Sequence, residues 1–306
     1  MKALFLLVAY VGLLSTEVMA QESAAASQPA AAASQSEGKE NKGSGPYRKA
    51  LEIYKRFKDH PAKIIGGEDA KYEDFSWQVA LVRSDVLDNF YAHFCGAVLL
   101  GDGWIVTAAH CVDSGMKGSM LRVIAGTNLL QGSDGREEVE EEIRIVPGFD
   151  ATYFKNDVAL LRLRTARPAQ KIRVLMKPDD RLTDENPPDL IVVGWGYLYE
   201  WGLKSQVLKQ IDLKLPTLSD CKKVYGGLIS ADMFCAGKDA MGKDACRGDS
   251  GGAAVLRDAG GKPVLAGLVS WAIKCGDPHR FGVYVRLSQF TDWIQRETQL
   301  TLNEPK

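Results

Sequence analysis

Short apolar runs recur along this chain from residue 77 onward, separated by glycines, prolines and acidic clusters. The runs are four to nine residues long, which is typical of β-strands, and no long amphipathic helix interrupts them. They cover Trp77–Val82, Cys95–Leu100, Trp104–Ala108, Leu121–Ala125, Val158–Leu163, Leu190–Val193, Val207–Leu215, Val264–Trp271 and Val283–Leu287. Strands at this density predict an all-β fold, either a barrel or a sandwich.

Two other segments have helical spacing. Phe290, Trp293 and Ile294 follow Ser288, a residue type that favours helix N-caps, and they predict a C-terminal helix with Ser288 as its cap. Near the N-terminus, Tyr47–Phe57 spaces its apolar residues at helical intervals among Lys and Arg. That segment fits either a short amphipathic helix that docks or a nascent helix that does not.

The start of the chain differs in composition from the rest. Residues 1–20 have the pattern of a secretory signal, with Lys2 before an apolar core, Leu4–Leu14, and small residues up to Ala20. This core is too short to span a bilayer, and an uncleaved anchor is the weaker alternative. Residues 21–45 are rich in Ala, Ser, Gln and Glu, and predict a disordered linker.

Cysteines and charge fit a single exported domain. Six cysteines suit an oxidising compartment and allow fifteen different sets of three disulfides. The sequence contains no CxxC pair, which makes a zinc site a weak interpretation. Residues 21–63 carry a net charge of +3 and residues 64–306 one of −4. The basic leader 21–63, which ends in the basic segment 46–63, therefore either docks on the body and helps to keep it latent or is a soluble spacer. The body has the length of one all-β domain and lacks the basic cluster of nucleic-acid-binding proteins.

Gly248–Gly252 (GDSGG), preceded two residues earlier by Cys246, is the most informative motif of the chain. A serine hydroxyl becomes nucleophilic only beside a base and opposite donors that hold an oxyanion. Glycines on both sides let the backbone approach a substrate closely. The chain supplies a histidine in Thr107–Cys111 (TAAHC) and a carboxylate in Asn156–Leu161 (NDVALL).

With these three motifs in this order, the chain resembles the trypsin-like (chymotrypsin-fold) serine proteases from Ile64 to about Gln299. The resemblance implies two six-stranded antiparallel Greek-key barrels with a C-terminal helix, and an active site in the cleft between the barrels. It also implies the disulfides Cys95–Cys111, Cys221–Cys235 and Cys246–Cys275.

The resemblance also implies a role for each residue of the catalytic group. Ser250 would be the nucleophile, His110 the general base, and Asp157 the carboxylate that orients His110. Ser270 would support Asp157, and the amides of Gly248 and Ser250 would form the oxyanion hole. Taken alone, each of these residues is an ordinary turn or structural residue.

Lys63–Gly67 (KIIGG) resembles the activation junction of the same family. Cleavage after Lys63 would expose the ammonium group of Ile64, which would then pair with Asp249 beside the nucleophile. Because an unpaired buried charge costs roughly 3–5 kcal/mol, we expect the uncleaved chain to be nearly inactive. The alternative is an ordinary Gly-Gly turn after a basic residue.

Asp244, six residues before Ser250, stands where the family has the floor of its primary specificity pocket. A carboxylate in an apolar pocket needs a cation, which implies cleavage after Arg or Lys; a solvated loop aspartate is the alternative. Gly282 would keep this pocket open. Ala245 replaces a serine of trypsin, which removes a partner for a lysine ammonium group, and we expect Arg to be preferred over Lys.

Other positions depart from the family pattern. Ala272, after Trp271, stands where glycine is usual, and its methyl group is expected to narrow the pocket entrance. Arg247 at the pocket mouth either favours acidic residues near the cut or lies in solvent. The glutamates of 137–142 predict a solvated acidic face rather than a calcium site, because Thr127–Asn128 stands near the expected first ligand.

Two other functions compete with this interpretation. Gly248–Gly252 also fits the G-x-S-x-G elbow of α/β-hydrolases, but Ala253–Leu256 predicts a strand where the elbow requires a helix. The α/β-hydrolase fold also needs a histidine on a distant loop after the serine, and the one histidine after Ser250, His279, lies too near to it. Both His93 and His279 are predicted to be surface or loop residues. The other alternative is a non-catalytic binding or regulatory protein on a protease scaffold, which the complete set of three catalytic residues disfavours.

The sequence therefore predicts a secreted serine endopeptidase, extracellular or periplasmic, with a signal peptide (1–20), a propeptide (21–63) and a protease domain (64–306). We expect a monomer without cofactor or metal, and without membrane attachment after signal cleavage. The predicted partners are protein or peptide substrates with Arg or Lys before the cut, and protein inhibitors. An activating protease is a further candidate, because Lys63 is expected to be a poor site for self-cleavage.

Overall fold

A computed structural model describes residues 67–303, with gaps at 114, 134, 166–171, 178–179, 181, 183–188, 199–203 and 238–243. The predicted signal peptide, propeptide, Lys63 and Ile64 lie outside the described residues. The fifteen described strands form two β-sheets, and β1 (Glu68–Asp69) belongs to the second sheet. No helix among the described residues has the length and apolar character needed to cross a membrane.

The first sheet has seven antiparallel strands in the order β6-β5-β2-β3-β4-β8-β7. Its strands are β2 (Gln78–Arg83), β3 (His93–Gly101), β4 (Trp104–Thr107), β5 (Leu121–Ile124), β6 (Arg136–Glu138), β7 (Arg144–Ile145) and β8 (Ala159–Arg162). Apolar residues such as Val79, Ile105 and Leu160 are fully buried between these strands and form its core. Burial of these side chains is the main force that closes the sheet.

The second sheet has the order β1-β11-β10-β13-β14-β15-β12, and one short strand, β9, pairs in parallel with β14. Its other strands pair in antiparallel fashion. The strands are β9 (Arg173–Val174), β10 (Leu190–Gly194), β11 (Lys209–Leu213), β12 (Met233–Ala236), β13 (Ala253–Arg257), β14 (Pro263–Trp271) and β15 (Gly282–Arg286).

Each sheet contains six strands of at least three residues, to which the two-residue strands are added. This architecture confirms the predicted all-β class with two β units. The described residues also contain three short helices: α1 (Asn89–Ala92), α2 (Leu218–Tyr225) and α3 (Thr291–Thr298). Helix α3 confirms the predicted C-terminal helix, whereas α1 and α2 were not predicted.

The predicted N-cap of the C-terminal helix is wrong. Ser288 lies within the 3-10 turn Leu287–Gln289, and helix α3 begins after Phe290, which makes no side-chain cap. The hydroxyl of Ser288 instead donates a hydrogen bond to Asp180. The Ser288 hydroxyl therefore bonds to a residue distant in sequence, Asp180, and does not cap the helix as the local pattern predicts.

Three disulfides join distant parts of the fold. Cys95–Cys111 links strand β3 to the turn that carries His110, with 6.3 Å between the Cα atoms. Cys246–Cys275 links the GDSGG segment to the chain beyond strand β14, with 5.2 Å between the Cα atoms. Cys221–Cys235 links helix α2 to strand β12. The first two fix loops that line the cavity described below.

Candidate active site

Strand pairing in the first sheet brings His110 and Asp157 together. Thr107 at the end of β4 pairs with Ala159 at the start of β8, so the residues just beyond both strands meet at one edge. The Nδ1 atom of His110 lies 2.7 Å from Oδ2 of Asp157. The backbone N–H of His110 also donates to Oδ1 of the same carboxylate, at 2.9 Å.

Asp157 also receives a contact from the second sheet. Ser270 on β14 donates its hydroxyl to Oδ2 of Asp157 at 2.6 Å, and both residues are buried. The register between β14 and β15 shifts at Ser270, and bulges of this kind re-aim side chains next to active sites. Because the Asp157 carboxylate accepts from Nδ1, the imidazole of His110 carries its proton there and keeps Nε2 as an acceptor.

The segment around Ser250 is a tight turn that depends on glycine. Gly248 and Gly251 have φ angles of 89° and 75°, in the left-handed region that favours glycine. The amides of Asp249, Gly251 and Gly252 donate to backbone carbonyls. Strand β13, not a helix, follows this turn, which excludes the nucleophile elbow of α/β-hydrolases.

His110 and Ser250 line one cavity of about 420 Å³ between the two sheets. The cavity continues to Asp244 and Gly282, where it is closed by the buried wall of the second sheet. Its wall also contains Ala245, Arg247, Ser270, Trp271, Ala272 and Lys274. The structure thus brings His110, Ser250 and the residues that the sequence analysis assigned to substrate binding around one space. Asp157 and Gly248 are not among the lining residues, and Asp157 is joined to this space through its contact with His110.

Asp244 is 4% exposed, and its carboxylate has an incomplete set of hydrogen bonds. Oδ2 accepts from the amide of Gly276 at 3.3 Å, whereas Oδ1 has no partner among the described residues. Burial raises the pKa of Asp244 to about 8. A Cβ atom at Gly282 would lie 2.7 Å from Oδ1 of Asp244, so a side chain there would fill the space in front of the carboxylate.

Asp249 points away from this cavity into a smaller one of about 210 Å³, which Gly67 also lines. Its carboxylate accepts hydrogen bonds from the amides of Gly196 (2.8 Å) and Cys246 (2.9 Å). Burial raises the pKa of Asp249 to about 6. An additional cation would therefore stabilise the ionised form of this side chain.

Phe154 is a site residue that the sequence analysis missed. Its ring packs edge-to-face on His110, with 5.4 Å between ring centroids, and it lines the cavity with Thr152 and Tyr153. Phe154 also has a φ angle of 53°, which is unusual for a bulky residue. Its position three residues before Asp157 was the one available signal.

His93 is buried, which contradicts the prediction that it lies at the surface or in a loop. It is 4% exposed at the start of β3 and packs edge-to-face on Trp195. Burial, with a smaller effect from the charge of Lys204, lowers the pKa of His93 to about 3. The imidazole is therefore neutral at physiological pH.

Three of the five glutamates in 137–142, Glu138, Glu140 and Glu142, pair with arginines. Glu138 lies beside Arg122 and Arg164, and Glu140 lies beside Arg162. Carboxylates arranged in such pairs do not converge on one point as calcium ligands do. Within the described residues, the one grouping with metal-ligand spacing is Cys95, His110 and Cys111, and its two sulfurs form a disulfide.

Comparison with known proteins identifies relatives of the whole body of the chain. The family model "Trypsin" matches residues 64–294. A trypsin of Phaedon cochleariae is 34% identical over 247 residues, which are 78% of this chain and 89% of that protein. Serine protease 56 of Mus musculus is 34% identical over 77% of this chain, and transmembrane protease serine 11C of Mus musculus is 35% identical over 78%.

The length of the match differs among these relatives. The aligned region covers 38% of serine protease 56 and 54% of transmembrane protease serine 11C, so the chain spans only part of the length of these longer proteins. The family model nevertheless spans most of the chain and both β-sheets. This chain belongs to the trypsin family of serine endopeptidases.

Proposed function

We propose that this endopeptidase is synthesised as a zymogen, is activated by cleavage after Lys63, and cleaves after Arg and less well after Lys. Its nucleophile is Ser250, its general base His110 and its orienting carboxylate Asp157. The observation that carries the proposal is the Asp157 carboxylate, which accepts from both His110 (2.7 Å) and Ser270 (2.6 Å) beside the cavity that Ser250 lines.

The proposed acylation step begins when Ser250 Oγ attacks the scissile carbonyl carbon. His110 Nε2 takes the hydroxyl proton and later donates it to the leaving amine. Asp157 holds the imidazole in the required tautomer and stabilises the imidazolium form. Water then repeats the sequence on the acyl-enzyme and releases the second product.

The developing oxyanion is assigned to the amides of Gly248 and Ser250. The neighbouring amides of Asp249, Gly251 and Gly252 already donate to backbone carbonyls, which supports this choice. Donors fixed by a rigid turn need no reorganisation as the charge develops, and one such donor contributes about 10²–10³ in kcat.

Buried Asp244 supports a requirement for a basic residue before the scissile bond. Its Oδ1 atom lacks a partner among the described residues and faces the space left by Gly282. A guanidinium group can donate to both oxygens of a carboxylate, whereas an ammonium group is a single point charge that needs further acceptors. Buried Ala245 offers no hydroxyl for this purpose.

We expect kcat/KM on matched peptides to be about 10-fold higher for Arg than for Lys, the effect of roughly one hydrogen bond. The measurement compares two peptides that differ only in the residue before the cut. Ala245→Ser is the matched variant and should raise kcat/KM for Lys while changing that for Arg little. Equal or reversed preference in the unmodified protein would contradict the proposal.

The raised pKa of Asp244 predicts a pH-dependent stability. Between the ordinary pKa of an aspartate and about 8, the unfolded chain loses the proton and the folded chain keeps it, so stability falls as pH rises. We therefore expect Asp244→Asn to gain stability relative to the parent chain from pH 5 to pH 8, by several degrees in Tm. Thermal unfolding in a Ser250→Ala background avoids autolysis, and a pH-independent Tm difference would contradict this expectation.

The cavity beside Asp249 supports activation by a new N-terminus. Gly67 and Asp249 line the same space, and Gly67 is three residues after Ile64. Three residues reach about 10 Å when extended. Among the described residues, the Asp249 carboxylate has amide partners and no cation. The Ile64 ammonium would then supply a cation and would favour the ordered form of the GDSGG turn.

Residues 1–20 and 21–63 are assigned to a signal peptide and a propeptide, and the mature protease to residues 64–306. Three disulfides support passage through an oxidising compartment and therefore secretion. Proteins with accessible Arg or Lys are the proposed substrates. A second protease is the proposed activator, because Lys63 is not the preferred residue before a cut.

Cleavage of a peptide library by protein processed at Lys63 tests the proposed specificity. Products that end in Arg, and less often in Lys, are expected. Asp244→Ser should remove this preference while the disulfides and the catalytic contacts remain. Products that end mainly in apolar or acidic residues would refute the assignment of Asp244.

A further inference from the structure

The segment that delivers Asp157 to His110 has an unusual backbone. Phe154 and Asn156, three residues and one residue before Asp157, have φ angles of 53° and 51°. Asparagine tolerates the left-handed region, but a bulky residue such as Phe seldom adopts it. Such conformations persist only where the surroundings determine them. Contacts that hold this segment therefore control where the Asp157 carboxylate lies.

The strongest such contact comes from the second sheet. The backbone N–H of Asn156 donates to Oδ2 of Asp232 at 2.6 Å. The Asn156 side chain makes a further bond to the carbonyl of Gly148, at 2.9 Å, within its own loop. A carboxylate acceptor makes a hydrogen bond stronger than one between neutral groups. Asp232 thus fixes the peptide immediately before Asp157.

Asp232 is itself firmly placed. It directly precedes strand β12, and its backbone carbonyl accepts from the amide of Arg286 at 2.8 Å on the neighbouring strand β15. The side chain is partly buried. Its carboxylate can therefore act as a rigid support that extends from the second sheet to a loop of the first.

We infer that Asp232 is a positioning residue for catalysis, which holds the Asn156–Asp157 backbone so that Asp157 can orient His110. It complements Ser270, which contacts the Asp157 side chain, because Asp232 acts on the main chain. Asp232 touches neither substrate nor His110. The inference rests on the proposed function, since it presumes that Asp157 orients the general base.

Substitutions of Asp232 separate the hydrogen bond from its charge. Asp232→Ala removes the acceptor, and we expect kcat to fall about 10- to 100-fold with KM within about 3-fold, as is typical when a catalytic group moves by about 1 Å. Asp232→Asn keeps an acceptor oxygen at the same reach and should recover kcat to within about 5-fold of the parent. Asp232→Glu keeps the charge but displaces the oxygens by one methylene, and should remain impaired.

The pH profile distinguishes positioning from a loss of folded protein. A loosely held Asp157 stabilises the imidazolium less, so the acidic midpoint of the kcat/KM profile should move to lower pH in Asp232→Ala. A smaller amount of folded enzyme would leave that midpoint in place. Active-site titration normalises kcat to functional protein, and Asp212→Ala, an exposed aspartate on strand β11, is the matched control.

Three outcomes decide the inference. An Asp232→Ala variant with the kcat and pH profile of the parent overturns it, and so does an Asp232→Asn variant as impaired as Asp232→Ala. If Asp232→Ala does not fold, the comparison of Asp232→Asn with Asp232→Glu decides. Equal kcat values of these two variants would then overturn the inference. Asp157→Ala identifies the source of a failure, because retained activity in that variant contradicts the proposed function itself.

Discussion

Ser250→Ala is expected to abolish peptide hydrolysis by the activated protein, with kcat about 10⁶-fold lower. The proposed mechanism forms its covalent bond through this hydroxyl, and no other group that lines the cavity beside His110 is assigned that role. The proposed function assigns substrate binding to Asp244 and the cavity wall, so KM should change little. The measurement is hydrolysis of an Arg peptide by protein whose cleavage after Lys63 has been verified by mass spectrometry.

Ser119→Ala is the matched control for this experiment. Ser119 lies in the exposed turn before strand β5, and its hydroxyl interacts with Glu141, far from the proposed mechanism. This variant should keep the parent's kcat. Substantial hydrolysis by purified Ser250→Ala protein would mean that another nucleophile operates, and the assignment of the triad would be wrong.

Lys63→Gln, which removes the proposed activation site, is expected to lower kcat/KM by roughly 10²- to 10⁴-fold, the equivalent of an unpaired buried charge. Without cleavage, the Ile64 amine stays in a peptide bond and cannot neutralise Asp249. The raised pKa of this buried carboxyl indicates that ionisation is costly while its partners are two amides. Both variant and parent are assayed after the same treatment with a protease specific for basic residues.

Lys63→Arg provides the control, because it keeps a basic residue at the junction and should become fully active after treatment. The N-terminus of each product is determined by mass spectrometry. Full turnover by intact Lys63→Gln protein would show that the turn around Ser250 orders itself without a new N-terminus. The zymogen proposal would then fail while the catalytic assignment would stand.

Local pattern was sufficient for the fold class but not for several element boundaries. The strand predicted at Trp77–Val82 is observed at Gln78–Arg83. The prediction followed the apolar residues, whereas the observed ends of the strand depend on its backbone pairing with neighbouring strands. Helix α2 was missed because it has only eight residues and because its N-cap, Thr217, closely follows the apolar run Val207–Leu215 that was predicted as a strand. The Ser288 cap failed because Asp180, distant in sequence, competes for the hydroxyl.

Motif spacing was informative for the site because the family resemblance supplied roles for the matched residues. It did not reveal Asp232, Phe154 or buried His93, because each is placed by contacts with residues that are distant in the sequence. The hydrogen bond between Asn156 and Asp232, which are 76 residues apart, produces no periodic pattern in the sequence from which it could be predicted. The local context of His93 resembles a loop, but the residue pairs with Val82 of strand β2 and packs against Trp195.

Mass spectrometry after fluorophosphonate labelling tests the central claim most directly. The account predicts one label per activated chain, on Ser250, with labelling lost in denatured protein and strongly slowed in His110→Ala. Labelling at a different residue, or an active chain that takes up no label, would contradict the assignment of Ser250 and His110 as nucleophile and base.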